Sequence, residues 1–192
     1  MKKLVLLFFS FTFLFLACEK EKNSTQNPSL PIPDLNYDGD NQSAPLLDAG
    51  NYEAAVRFTP AQTNKFAGKS LTAVDFFIQE VPPLCILLIY DKGTDDEPGD
   101  ILFEQDFTTG IGANSWNHYE FPDPIPITGE DLWISILVEH DSSMRSIGCD
   151  SGPAVENGDW LWVDAENEWQ TLRQHTNQAA NINWNIRGFV GN

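Results

Sequence analysis

The residues of this chain best equipped for chemistry are its carboxylates and its indoles. Asp91-Lys92-Gly93-Thr94-Asp95-Asp96-Glu97-Pro98-Gly99-Asp100 sets five carboxylates between two apolar runs of strand length. Hard divalent cations take such oxygens readily, which makes Asp91, Asp95, Asp96 and Asp100 calcium candidates; a solvated acidic loop has the same composition. Asp34-Leu35-Asn36-Tyr37-Asp38-Gly39-Asp40 starts like an oxygen-rich calcium loop, with side-chain oxygens at alternate positions and glycine sixth. Its twelfth position is Pro45, where a bidentate glutamate is required, so the stretch reads as structure or linker. Trp160 and Trp162 share a face of one predicted strand, with Trp169 on the next. Exposed, these indoles would stack on sugar rings; buried, they would be packing residues.

Catalytic signatures are missing from the sequence. His118, His140 and His175 are scattered, there is no H-E-x-x-H, G-x-S-x-G or Walker loop, and the cysteines are not spaced for zinc. Glu139-His140-Asp141 sets acids beside a base, but neighbours on a strand point to opposite faces. The reading is therefore a non-catalytic protein. Cys85 and Cys149 either form a disulfide, which needs Cα atoms within ~7 Å, or remain separate. Cys85, in the most apolar run of the chain, also reads as a small buried hydrophobe.

What positions these groups is a series of short strands. Apolar or alternating runs appear at Ala54–Thr59, Leu71–Gln79, Leu84–Tyr90, Ile101–Thr108, Trp116–Phe121, Leu132–Glu139, Asp159–Val163, Glu168–Leu172 and Ile182–Val190. Turn formers such as Pro82-Pro83, Glu97-Pro98-Gly99, Thr128-Gly129-Glu130 and Glu156-Asn157-Gly158 separate them. No stretch of helical length keeps a 3.6-residue apolar period. An all-β, jelly-roll-like antiparallel β-sandwich follows. Within it, Ala54, Val56 and Phe58 face a core and Arg57 faces out or to an edge; Leu84–Tyr90, apolar on both faces, lies centrally. Ile182, Trp184, Ile186 and Val190 share the buried face of a half-exposed last strand.

The formal charge of −17 excludes nucleic-acid binding through the overall field. At the other end of the chain, Lys2-Lys3, the apolar run Leu4 to Ala17 and Leu14-Phe15-Leu16-Ala17-Cys18 resemble a bacterial lipoprotein signal peptide with its lipobox. The run is too short to span a bilayer, which needs ~20 residues. The resemblance implies removal of residues 1–17, acylation of Cys18 and attachment to the membrane through that anchor. Several acyl chains together hold stably where one is marginal. Residues 18–35, polar and punctuated by Pro28, Pro31 and Pro33, read as a flexible linker, and 36–192 as the folded domain. Glu19-Lys20-Glu21-Lys22 bears a loose likeness to the export tags of surface lipoproteins in the Bacteroidota. The expected location is the cell envelope, as an outer-membrane lipoprotein, with surface exposure in keeping with that tag.

A second resemblance covers nearly all of the domain. Tyr37-Asp38-Gly39, Ala55-Val56-Arg57-Phe58-Thr59-Pro60, Gly68-Lys69-Ser70-Leu71-Thr72-Ala73-Val74-Asp75-Phe76, Pro98-Gly99-Asp100-Ile101-Leu102, Gly129-Glu130-Asp131-Leu132-Trp133-Ile134, Asp150-Ser151-Gly152-Pro153 and Asn183-Trp184-Asn185-Ile186-Arg187 occur in that order. The series is similar to the cleaved-adhesin (haemagglutinin) β-sandwich modules of gingipains. This implies an adhesive or interaction module with a protein or glycan ligand; carbohydrate binding through exposed tryptophans is the alternative. Family modules are commonly appended to a large secreted chain, whereas this one stands alone on its anchor.

Overall fold

The computed structural model describes residues 32–192, which form one compact unit. The signal peptide, Cys18 and the expected stalk as far as residue 31 lie outside the described residues. The elements run β1 (Gly50–Phe58), α1 (Pro60–Thr63), β2 (Ser70–Ile78), β3 (Leu84–Tyr90), β4 (Ile101–Asp106), β5 (Ser115–Pro126), β6 (Leu132–His140), β7 (Trp160–Val163), β8 (Glu168–Thr171), α2 (Leu172–His175) and β9 (Ile186–Gly191). They build a six-stranded sheet, β4-β3-β6-β1-β7-β8, and a three-stranded sheet, β5-β2-β9. Every pairing is antiparallel, and the chain passes back and forth between the sheets after β1, β2, β4, β5 and β8. The all-β sandwich expected from the strand-length runs is what the chain forms.

Alternation builds the core. Ala54, Val56 and Phe58 of β1, Cys85, Leu87 and Ile89 of β3, and Ile134 and Ile136 of β6 point between the sheets and meet Leu71, Val74, Phe76 and Ile78 of β2. The remaining positions of β3 are covered as well, because Leu88 and Tyr90 belong to a second buried cluster on the outer face of the large sheet. β3 lies between β4 and β6, so the doubly apolar run occupies the interior position its composition requires.

Three boundaries differ from the sequence reading. β5 runs on through Pro122, Pro124 and Pro126 instead of ending near Phe121. It is the edge strand of the small sheet, where missing N–H groups interrupt no ladder on the outer side. The folded domain begins before residue 36: Leu35 is buried in the main core, its N–H donates to Gly188 O, and Gly188 N–H donates back to Leu35 O. Gly188 also leaves room for the core beside it, since a Cβ there would sit 2.9 Å from Leu71 Cδ1.

The last strand is also shorter and better covered than expected. Asn183 and Asn185 are buried, because the segments around Asp38 and Asp150 lie over them. Asn185 Nδ2 donates to Asp38 Oδ2 at 2.6 Å and Asn183 Nδ2 to Asp150 Oδ2 at 2.9 Å. Arg187 Nε completes the arrangement on Asp38 at 2.9 Å while its guanidinium stacks 4.0 Å from the Trp116 ring centroid. Burial raises the cost of charge on Asp150, yet hydrogen bonds from Asn183, Gly152 and Gly39 hold its carboxyl below the usual range.

Candidate functional site

The outer face of the six-stranded sheet carries a row of residues fixed by register. Arg57 of β1 sits opposite Trp133 of β6; Ala55 sits opposite Ser135 on one side and Trp160 of β7 on the other; Glu53 sits opposite Leu137 and Trp162. Ala55 and Ser135 are small, so large indoles from neighbouring strands close over the middle of the sheet. Trp160 and Trp169 reach Trp133 with ring centroids 5.3 and 5.9 Å away, and Trp133 is wholly buried beneath them. Trp162 pairs directly with Trp169 across β7 and β8.

The three tryptophans singled out from the sequence thus share one face but differ in exposure. Trp160 is 8% exposed, whereas Trp162 and Trp169 are half-buried. Trp160 forms one wall of a cleft of about 460 Å³ whose other walls are Arg57, Asp95, Asp96, Glu156, Asn157, Arg173 and Gln174. Its Nε1 donates to Asn157 Oδ1 at 3.2 Å, which fixes the ring. A capping box sets the opposite lip: Thr171 Oγ1 accepts from Gln174 N–H while Gln174 Oε1 accepts from Thr171 N–H, and Arg173 follows on the same short turn.

Arg57 is the residue that the sequence placed facing out, and the structure keeps it on the outer face but buried. Its Nε and one terminal nitrogen donate to Asp131 Oδ2 at 3.1 and 2.6 Å, and its other contacts go to Asp95, at 2.8 Å to the carbonyl and 3.1 Å to Oδ1. Burial opposes its charge, but the hydrogen bonds it donates to Asp131 and Asp95 outweigh this and hold the guanidinium above its ordinary pKa. Asp131 is delivered by a turn in which Gly129 takes φ +92° and Thr63 Oγ1 donates to the carbonyls of Gly129 and Glu130. Nothing in the local spacing joins Arg57 to Asp131; the pair is made by β1–β6 register.

Beside it, Glu53 is enclosed with Tyr90 and Ser135. Tyr90 OH donates to Glu53 Oε1 at 2.8 Å and Ser135 Oγ donates to the same oxygen. Burial pushes the Glu53 carboxyl upward, and the hydrogen bonds from Ser135 and Tyr90 offset only part of that. A raised carboxyl favours the protonated fold, so the stability it confers is full below the unfolded-state value of about 4.3 and falls as pH rises from there toward the folded-state value. Glu53→Gln is therefore expected to be more stable than wild type at neutral pH and to lose the decline between acid and neutral pH. Urea titrations at several pH values check this; an unchanged pH slope would contradict it.

The carboxylates of the acidic loop point in different directions. Asp91 Oδ1 accepts from Asp100 N–H at 2.7 Å, Asp95 serves Arg57, and Asp96 is exposed on the rim of the cleft. Among the described residues there is no group of three or more His, Cys, Asp or Glu arranged to hold a metal ion. In the calcium-like stretch at 34–40, Asp34 accepts from Val190 N–H at 2.8 Å and Asp38 holds Arg187, while Asp40 is exposed. Of the two readings left open for Cys85 and Cys149, the structure has the separate one: both are buried thiols, pushed up by burial to about 12 and about 11. Cys85 lies in β3 and Cys149 bridges Ser43 and Trp184, on different elements of the core.

The histidines do not combine into a nucleophile and base open to a substrate. His140 Nε2 lies 2.7 Å from Ser146 Oγ, but both residues are buried, and burial lowers the His140 pKa. His118, on the outer face of the small sheet, pairs with Asp75 and lies 3.7 Å from Glu120, with acids as its only ionic partners among the described residues.

Among solved structures, the chain is similar to the cysteine protease and lectin-like domains of Cwp84, a surface layer associated protein of Clostridium difficile, at 11% identity and a TM-score of 0.44. The match covers 73% of this chain and 32% of that one, so this chain spans about a third of its length. No family model and no curated protein matches the chain.

Proposed function

We propose that this protein is a lipid-tethered, non-catalytic binding module of the cell envelope, and that its ligand occupies the cleft against Trp160. The observation that carries the reading is the lining of that cleft. One aromatic wall stands beside carboxylates, amides and guanidinium groups, a set that supplies both donors and acceptors to a hydroxylated ligand. This composition favours a carbohydrate over an apolar compound, and of the three candidate tryptophans it singles out Trp160, which borders the cleft beside polar neighbours that supply most of the ligand contacts. The lipobox ending at Cys18 supports the tether, and the likeness to cleaved-adhesin modules supports an adhesive role without chemistry.

The test has two arms. Cells expressing wild type and Cys18→Ala are fractionated, with the variant expected to leave the membrane fraction; equal partitioning would refute the tether. Full-length protein is then titrated with glycans selected from an array, alongside Arg173→Ala and Glu156→Ala. These variants are expected to fold normally and to bind at least roughly tenfold more weakly, the scale for losing a charge-assisted hydrogen bond. Unchanged affinity in both would remove the cleft from the function, and glycan shortened by the protein would contradict the non-catalytic reading.

A further inference from the structure

The two sheets leave a groove between their edges on the side away from β8 and β9. Its volume is about 610 Å³, and its apolar lining comes from Leu102 and Phe103 of β4, Ile125 of β5, Ile127 and Leu132. Phe103 closes its base by packing edge-on against Phe121 at 4.9 Å between ring centroids. Leu102 occupies a bulge between the Ile89–Phe103 and Tyr90–Ile101 pairs, and both Leu102 and Ile101 remain about half exposed, at 47% and 53%.

The strands flanking the groove differ in what they offer. On β5, Pro122, Pro124 and Pro126 remove backbone donors, which guards that edge against further pairing. On β4, the run Phe103–Asp106 contains no proline or lysine, and among the described residues no strand pairs with its outer side. An edge free of proline and lysine beside an apolar groove offers the geometry used for strand addition, in which the main chain of a bound peptide gives affinity and alternate side chains fill pockets, and its exposed Glu104 and Asp106 repel acidic segments while leaving it open to basic ones.

Charge selects the occupant. Asp91, Asp123 and Glu130 stand on the groove, with Lys92 as the basic residue among its lining, and Lys92 is already paired with Glu130 at 2.7 Å. Asp131, on the inner wall, has one carboxylate oxygen without a hydrogen-bond partner. Glu104 and Asp106 are exposed along β4 itself. A second copy of this acidic chain, or an anionic lipid surface, would meet like charge here.

We propose that the β4 edge and its groove capture an extended, basic peptide segment of a partner protein, which adds as a strand to β4 and seats an apolar side chain on Leu102. This site lies on the β4 and β5 edges and does not depend on the cleft against Trp160.

A fluorescein-labelled peptide alternating lysine and isoleucine, titrated into the full chain in detergent and followed by anisotropy, tests the proposal. Binding is expected, weakening as salt is raised, with no binding by the same peptide carrying glutamate for lysine. Leu102→Ser, at an exposed position, is expected to weaken binding roughly tenfold, as when a large side chain loses its apolar contact. Because strand addition uses backbone N–H groups, a peptide N-methylated at alternate residues in one of the two registers is expected to lose binding. Arg173→Ala is expected to bind the peptide normally, which keeps this outcome separate from that of the cleft. No binding of the basic peptide, equal binding of both N-methylated peptides, or no effect of Leu102→Ser would overturn the proposal. So would self-association of the chain that Leu102→Ser abolishes, since the edge would then belong to a second copy.

Discussion

Replacing Asp131 with alanine is expected to destabilise the domain by about 3–5 kcal/mol, the cost of stranding one partner of a buried ion pair. The side chains of Arg57 and Asp131 are only 11% and 6% exposed, and Asp131 accepts two of the guanidinium's hydrogen bonds through a single oxygen. Removing it leaves a cation on the outer face of β1, above Trp133, with Asp95 as its remaining carboxylate. That carboxylate cannot substitute, because the Asp95 side chain is 96% exposed and its attraction is screened by water. Asp95→Ala should accordingly cost no more than ~1 kcal/mol, the range for exposed pairs. Urea unfolding of the two variants separates them; comparable losses, or an Asp131→Ala loss below that of Asp95→Ala, would show that the buried pair does not hold this face. Replacing both partners, as Arg57→Met with Asp131→Leu, should recover most of the loss, since no unpaired charge then remains.

The contrast between Asp131 and Asp95 also shows where the sequence is legible. Both carboxylates stand in polar turns, and both would pass for solvated loop residues. Strand periodicity does reveal β2, β3 and β6, because each has enough alternation or continuous apolar character to require a core. It cannot reveal that Asp131, immediately before β6, meets a residue of β1 that is 74 positions away, since that contact depends on register. Asn183 and Asn185 present the same difficulty. Their alternation with Trp184 and Ile186 reads as a wet face, and only the coverage by Asp38 and Asp150 turns it into a buried network.

The site was legible in part for the same reason. The Trp160–Trp162 periodicity puts two indoles on one face of β7 and Trp169 on the next strand, and the β7–β8 register brings Trp169 opposite Trp162 on that face. Exposure is another matter, because it depends on Ala55 and Ser135, whose small size is spread over two other strands and allows the rings to settle onto Trp133. The acidic loop shows the converse. Its composition suits calcium, but composition carries no direction, and the folded loop sends Asp95 toward Arg57 while turning Asp91 onto Asp100 N–H.

Trp160→Ala is expected to be the most damaging change among the three candidate tryptophans. The ring is 8% exposed, packs 5.3 Å from Trp133 and anchors Asn157, so its removal opens a cavity over the buried Trp133; losses of ~3–5 kcal/mol are usual for such truncations. Trp162 is half-buried, so Trp162→Ala should cost distinctly less, with Trp169→Ala between them because Trp169 also covers Trp133. Ligand binding separates fold from contact. Trp160→Phe keeps an aromatic wall while removing the Nε1 donor, and should retain much of the stability and glycan affinity that alanine forfeits. Thermal melts and glycan titrations on the four variants therefore have a defined order. If Trp162→Ala abolished binding at unchanged stability while Trp160→Phe had no effect on either, the recognition surface would be the β7–β8 tryptophan pair rather than the cleft, because loss of binding without loss of stability marks an indole that touches the ligand rather than the core.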